Sequence, residues 1–143
     1  MPDEVPDGND PVELAHWLFD RARAGEAARL AAYVDGGVPV NMTDAKGNTL
    51  LMLAAYHGHP ATVRALAERG ADANALNDRG QSPLAGAVFK GYLAVVETLL
   101  EAGADPFAGT PNARDTATFF EQAQILGAID SHLGRDERSR ARE

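Results

Sequence analysis

Gly25, Gly58 and Gly91 stand 33 residues apart, and Gly37, Gly70 and Gly103 repeat the same interval. Apolar positions keep step with them: Leu18, Leu51 and Leu84; Leu30, Val63 and Val96; Val34, Ala67 and Leu100. A chain with such a period folds as a stack of similar units, none of which can bury its apolar face alone, so about three or more must cooperate. The glycines say where helices stop. In the runs ending at Gly70 and Gly103 the glycine follows a helical stretch, where a left-handed residue closes the last turn without a Cβ clash. Gly58 and Gly91 do the same between the paired helices of a unit. Ala54, Ala55, Ala61, Ala65 and Ala67 are small enough to let two short helices approach closely.

The units at 44–76 and 77–109 resemble the ankyrin consensus. The matching residues are Gly47, Thr49, Leu51, Ala54-Ala55, Gly58-His59 and Gly70-Ala71-Asp72, then Gly80, Ser82-Pro83-Leu84, Gly91 and Gly103-Ala104-Asp105. On these residues the chain is identified as a member of the ankyrin-repeat family, small and of the bacterial type, with about four repeats. The resemblance implies an all-α solenoid of stacked helix-turn-helix units joined by β-turn loops. Residues 11–133 form the repeat domain, in units of about 11–43, 44–76, 77–109 and 110–133. The first unit lacks the opening turn motif and is read as an N-terminal cap. The last fits loosely and is read as a C-terminal cap, with Phe119, Phe120, Ile129 and Leu133 as its core. Residues 1–10 are expected to be a flexible acidic tail and 134–143 a flexible charged tail. The sequence departs from the family's Thr-Pro-Leu-His at Thr49-Leu50-Leu51-Met52 and Ser82-Pro83-Leu84-Ala85. Each missing histidine forfeits a hydrogen bond worth about 0.5–1.5 kcal/mol unless an apolar replacement packs well.

Composition narrows the function. Hydrophobic residues make up 45% of the chain and charged residues 24%, so the body is expected to fold. No apolar run of about 18 residues is present, and the start, MPDEVPDGND, has neither a basic region nor an apolar one. The expected location is therefore cytoplasmic, away from membranes. The net charge of -8 repels a polyanion, which makes nucleic acid a poor partner.

Catalytic and metal chemistry find no footing. The chain has no cysteine. His57 and His59 form an H-x-H pair, but His59 occupies the consensus Gly-His position and no further ligands stand at useful spacing. Ser82 and Ser131 lack a nucleophile-elbow setting, and the glycines are spaced as helix caps, not as a phosphate loop. Asp72 and Asp105 are expected to bond their own loop backbones. The reading is a protein that is not an enzyme and needs no cofactor or metal.

The resemblance directs attention to the concave face, made of the turn tips and the exposed side of each first helix. Its offsets fall at Lys46, Asn48, Tyr56, His57 and Arg69, and one unit later at Asp78, Arg79, Gln81, Phe89 and Lys90; Arg23 holds the Tyr56 offset in the first unit. Aromatics ringed by cations suit a binding hot spot, since Tyr, Trp and Arg dominate interface energetics. The expected function is non-catalytic recognition of another protein of unknown identity, by a monomer. Regulation or inhibition of an enzyme is one form that recognition takes. The alternative is a structural protein whose repeats stack into oligomers. A small-ligand role is disfavoured on the expectation that so short a solenoid encloses no deep apolar pocket.

Overall fold

Thr49, Ser82 and Asn112 each open a helix in the same way. The side-chain oxygen accepts the backbone amide three residues on, from Met52 at 3.1 Å, Ala85 at 3.0 Å and Asp115 at 2.8 Å. Short polar side chains at this position satisfy amides that have no partner inside the helix. The first two caps lie one full period apart, but Asn112 follows Ser82 by only 30 residues. The last connection is therefore three residues short of the period.

The computed structural model describes residues 5–6 and 10–141, with the backbone alone at 137–141. Most of the acidic segment 1–10 thus lies outside the described residues. The described chain forms eight helices: α1 (Pro11–Ala24), α2 (Ala27–Asp35), α3 (Leu50–Tyr56), α4 (Pro60–Ala67), α5 (Pro83–Lys90), α6 (Leu93–Glu101), α7 (Ala113–Phe119) and α8 (Ala123–Ala141). Among the described residues there is no strand, only an isolated bridge between Thr43 and Thr49 at one turn tip. The fold is the all-α repeat solenoid expected. Helices α1, α3, α5 and α7 pack side by side in one row, and α2, α4, α6 and α8 in a second. α8 runs on past Leu133, so residues 134–141, set apart above as a charged tail, continue a helix.

One core threads between the rows. Leu18, Leu51 and Leu84 and then Leu30, Val63 and Val96 are buried in register, as the periodic columns require. Met52, where the consensus has histidine, is wholly buried and fills that place with apolar volume. Gly25, Gly58 and Gly91 take φ of 76°, 79° and 75° between paired helices. In the last unit Glu121 takes their place, with φ 54°.

Polar stitches join the units. The Asn41 side chain accepts the Asp72 amide at 2.8 Å and donates to the Gly70 carbonyl. Asn74 repeats both bonds with Asp105, at 2.7 Å, and Gly103. Asp72 and Asp105 also accept from the amides of Asn74 and Phe107 in their own loops, as short acceptors in such turns do.

The shortened connection moves the last unit's register. Counted at the full period, Phe119 and Phe120 match Gly86 and the buried Ala87; at the true spacing they match Phe89 and Lys90. Accordingly Phe119 is 79% exposed and Phe120 49%, and neither is core. The cap is filled by Ala113, Ala117, Ile125 and Ile129, with Leu133 packed against them.

Candidate functional site

The corrected register places Arg23, Tyr56, Phe89 and Phe119 at one offset in successive units, on the face made by the first row of helices. Tyr56 does not stand free there. Its ring lies over Gly86 in the middle of α5, so closely that a Cβ built on Gly86 would fall inside it. Its hydroxyl donates to the Ser82 carbonyl at 3.2 Å. One unit on, the position equivalent to Gly86 is Thr116, buried and with its hydroxyl bonded to the Asn112 carbonyl. Phe89 finds no notch and stays 63% exposed. Its ring meets Phe120 edge-on at 5.7 Å, and Phe120 meets Phe119 the same way at 5.0 Å.

Between these rings runs an open groove of about 630 Å³. Tyr56 of α3, Ala85, Gly86, Phe89 and Lys90 of α5, and Asp115, Thr116, Phe119 and Phe120 of the last unit line it. The sequence pattern gave no expectation of an apolar hollow on so short a solenoid, and this one exists because the last unit's aromatics face outward. Such a lining suits an apolar side chain and offers no nucleophile, base and orienting group in a line. Among the described residues no cluster of three His, Cys, Asp or Glu could hold a metal.

The other face residues sort by what holds them. Lys46 and Arg79 project from turn tips whose backbones are fixed by Asp44 and Asn77, which accept their amides at 2.9 and 3.0 Å. Asn48 and Gln81 accept from the Asn77 amide group, so both brace the tips. Asp78 is exposed, its amide bonded to the Lys46 carbonyl. Arg23 pairs with Asp20 at 2.9 Å and approaches Asp44 at 3.9 Å. Burial pushes the Asp44 carboxyl up, but the Asn48 and Lys46 amides, the Asn48 side chain and Arg23 together hold it below its ordinary value. Arg69 is not brought to the groove. It follows α4 and grips Asp35 of the preceding unit at 3.0 and 3.3 Å.

His57 and His59 divide their roles. His59 donates from Nε2 to the Arg23 carbonyl at 2.8 Å, tying the second unit to the first. His57 is exposed at the end of α3. Partial burial, then the charges of Arg23, His59 and Lys90, hold its pKa below the ordinary 6.5.

Burial pushes the Tyr56 phenol up to about 12. Its folded pKa exceeds the unfolded one, so this contribution to stability is full below about 10 and is lost as pH rises through about 12. An absorbance titration at alkaline pH should show one late tyrosine, absent in Tyr56→Phe. A late component that persists in Tyr56→Phe, or none in the wild type, would mean that Tyr56 does not lie in its notch.

Sequence reasoning passed over Gly86, Pro111, Asp115 and Thr116 and assigned Phe119 and Phe120 to the core, whereas all six line the groove. The signal for the last four was Asn112-Ala113-Arg114-Asp115, a cap with an acidic residue three places on, which marks a helix start ahead of the expected register.

The sequence pattern of ankyrin repeats, in three copies, matches residues 11–109. The chain is also similar, at 51% identity over 47 residues, to an ankyrin repeat protein of Pseudomonas aeruginosa. That match covers 33% of this chain and 28% of the other protein, so the chain spans well under two thirds of that relative.

Proposed function

Since the chain belongs to the ankyrin-repeat family, whose members mediate protein-protein interaction and are typically non-catalytic, we propose that it captures another protein on the face made by α3, α5, α7 and their turn tips. One observation carries the reading: Phe89, Phe119 and Phe120 are all substantially exposed and meet edge to edge along a single groove. Scattered exposed aromatics are ordinary, whereas a contiguous set rimmed by polar groups marks a contact surface. Capture of this kind regulates or inhibits an enzyme when the bound segment is needed for its activity. No helix among the described residues is long and apolar enough to cross a membrane, and nothing in the reading requires one.

The test is a pair of truncations. Phe89→Ala with Phe119→Ala should weaken binding of the captured protein by about tenfold or more, which is about 1.4 kcal/mol, while the circular dichroism spectrum stays native. Unchanged affinity in the folded double variant would move the interface elsewhere, first to the opposite face around Arg64, Glu68 and Glu101. Self-stacking, the rival reading, would show as a concentration-dependent increase in mass by light scattering that the same two substitutions abolish.

A further inference from the structure

Resting on that reading, we infer that the groove takes an amphipathic helix of another protein, whose apolar strip carries carboxylates along one flank and basic side chains along the other. The apolar strip follows from the lining, where Phe89, Phe119 and Phe120 are exposed together. The polar groups among them are already engaged. The Tyr56 and Thr116 hydroxyls donate to the Ser82 and Asn112 carbonyls, and the Gln81 amide oxygen accepts from Asn77. An extended segment laid on such a lining would bury backbone amides and carbonyls without partners, whereas a helix satisfies its own. Helix α5 has 8 residues and is about 12 Å long at 1.5 Å per residue. Two turns of an occupant therefore cross the groove, and its apolar side chains recur at helical spacing along one stripe.

The flanks follow from how charge is divided between the two helices under the groove. α5 and α7 pack side by side, and the lining takes Lys90 from the end of α5 and Asp115 from the first turn of α7. Asp115 accepts from the Asn112 side chain at 3.3 Å, but neither it nor Lys90 forms an ion pair among the described residues. Beyond the lining the same division holds. Arg79 stands exposed just before α5 and Glu121 exposed just after α7, each again outside any ion pair among the described residues. The neighbouring charges cancel where they stand. The Asp78 carboxylate lies against Gly47, in the tip that carries Lys46. Arg114 of α7 pairs with Asp130, and His57, its pKa held below 6.5, is uncharged at neutral pH. This part of the face is thus balanced in sum but divided in arrangement, basic on α5 and acidic on α7. A segment of one sign loses at one helix what it gains at the other, whereas a helix with opposite flanks gains at both.

The probe is a phage library of helix-favouring peptides about 18 residues long, long enough to form a helix, with random residues on one face and both its flanks. Selection on the intact protein should enrich an apolar stripe with Asp or Glu on one flank and Lys or Arg on the other. A fluorescein-labelled copy of the best sequence should lose about tenfold in affinity, by anisotropy, against Phe89→Ser or Phe119→Ser, since hot-spot truncations act on that scale. A proline at its centre should cost at least as much, because it breaks the helix. Changing the charge of the protein should change which flanks it prefers. Lys90→Glu should favour a copy basic on both flanks and Asp115→Lys a copy acidic on both, several-fold at low salt and little at high salt. Enriched peptides with one sign on both flanks, or with affinity untouched by the central proline, overturn this inference; if they still weaken against Phe119→Ser, the proposed function stands. Peptides indifferent to both phenylalanine substitutions overturn the two together. No enrichment over a blank support overturns the inference alone. A dimer seen by light scattering and abolished by Phe119→Ser overturns it too, because the occupant is then a second copy of this chain.

Discussion

Gly86→Ala should lower the stability of the protein by about 1–3 kcal/mol, the range of overpacked sites. The direction runs against the usual rule, because alanine in a helix interior is favoured over glycine by about 0.5–1 kcal/mol. Here the new Cβ would fall within the Tyr56 ring, which must leave its notch and give up the hydrogen bond to the Ser82 carbonyl. That bond is worth about 0.5–1.5 kcal/mol net. The control is the same change in a Tyr56→Ala background, where the clash is gone and alanine should become neutral or stabilising. Urea melts of the four proteins give the coupling directly. A stabilised Gly86→Ala in the intact protein would show that the tyrosine does not depend on the missing side chain.

Ile129→Ala is expected to cost about 2–5 kcal/mol, as truncation of a wholly buried isoleucine does. The loss should be uneven along the molecule. α8 packs on α6 and α7, and in a solenoid each unit touches only its neighbours. Amide exchange should therefore quicken across α7 and α8 before it does in α3 and α4. The groove would open with them, since Thr116, Phe119 and Phe120 belong to or adjoin α7, and partner binding should weaken although no groove residue has changed. Uniform exchange throughout the chain would mean that the stack opens as one body.

The fold was largely legible because the residues that end helices recur on a fixed count. Gly25, Gly58 and Gly91 need a left-handed φ, and a period of that requirement is visible without knowing what packs on what. The C-terminal face was not legible by the same count. A loop three residues short breaks that count, with only the Asn112 cap at its end to mark the change, and it exchanges the positions equivalent to Gly86 and Ala87 for those equivalent to Phe89 and Lys90. Two phenylalanines then read as core when they are surface. Tyr56 presents the opposite problem: its place depends on the absent side chain of Gly86, a residue of the next unit, and a glycine in a helix looks locally like a weakness. Arg69 is held by Asp35, so its exposure offset alone could not tell a binding residue from a brace between units.

The asparagine stitches bear on how such a chain changes length over generations. Asn41 closes on Asp72 as Asn74 closes on Asp105, each one period on and with the same pair of bonds. Loss of residues 44–76 by in-frame recombination would bring Asn41 to Asp105 and Gly103, partners of the kind it already has. Duplication of that segment would lengthen the row with joints of one design. The next position in the series is Phe107, which has no side-chain amide to offer, and the short connection follows directly after it. Growth and loss by whole units are therefore open at the middle of this chain and closed at its C-terminal end, where the aromatic groove is built.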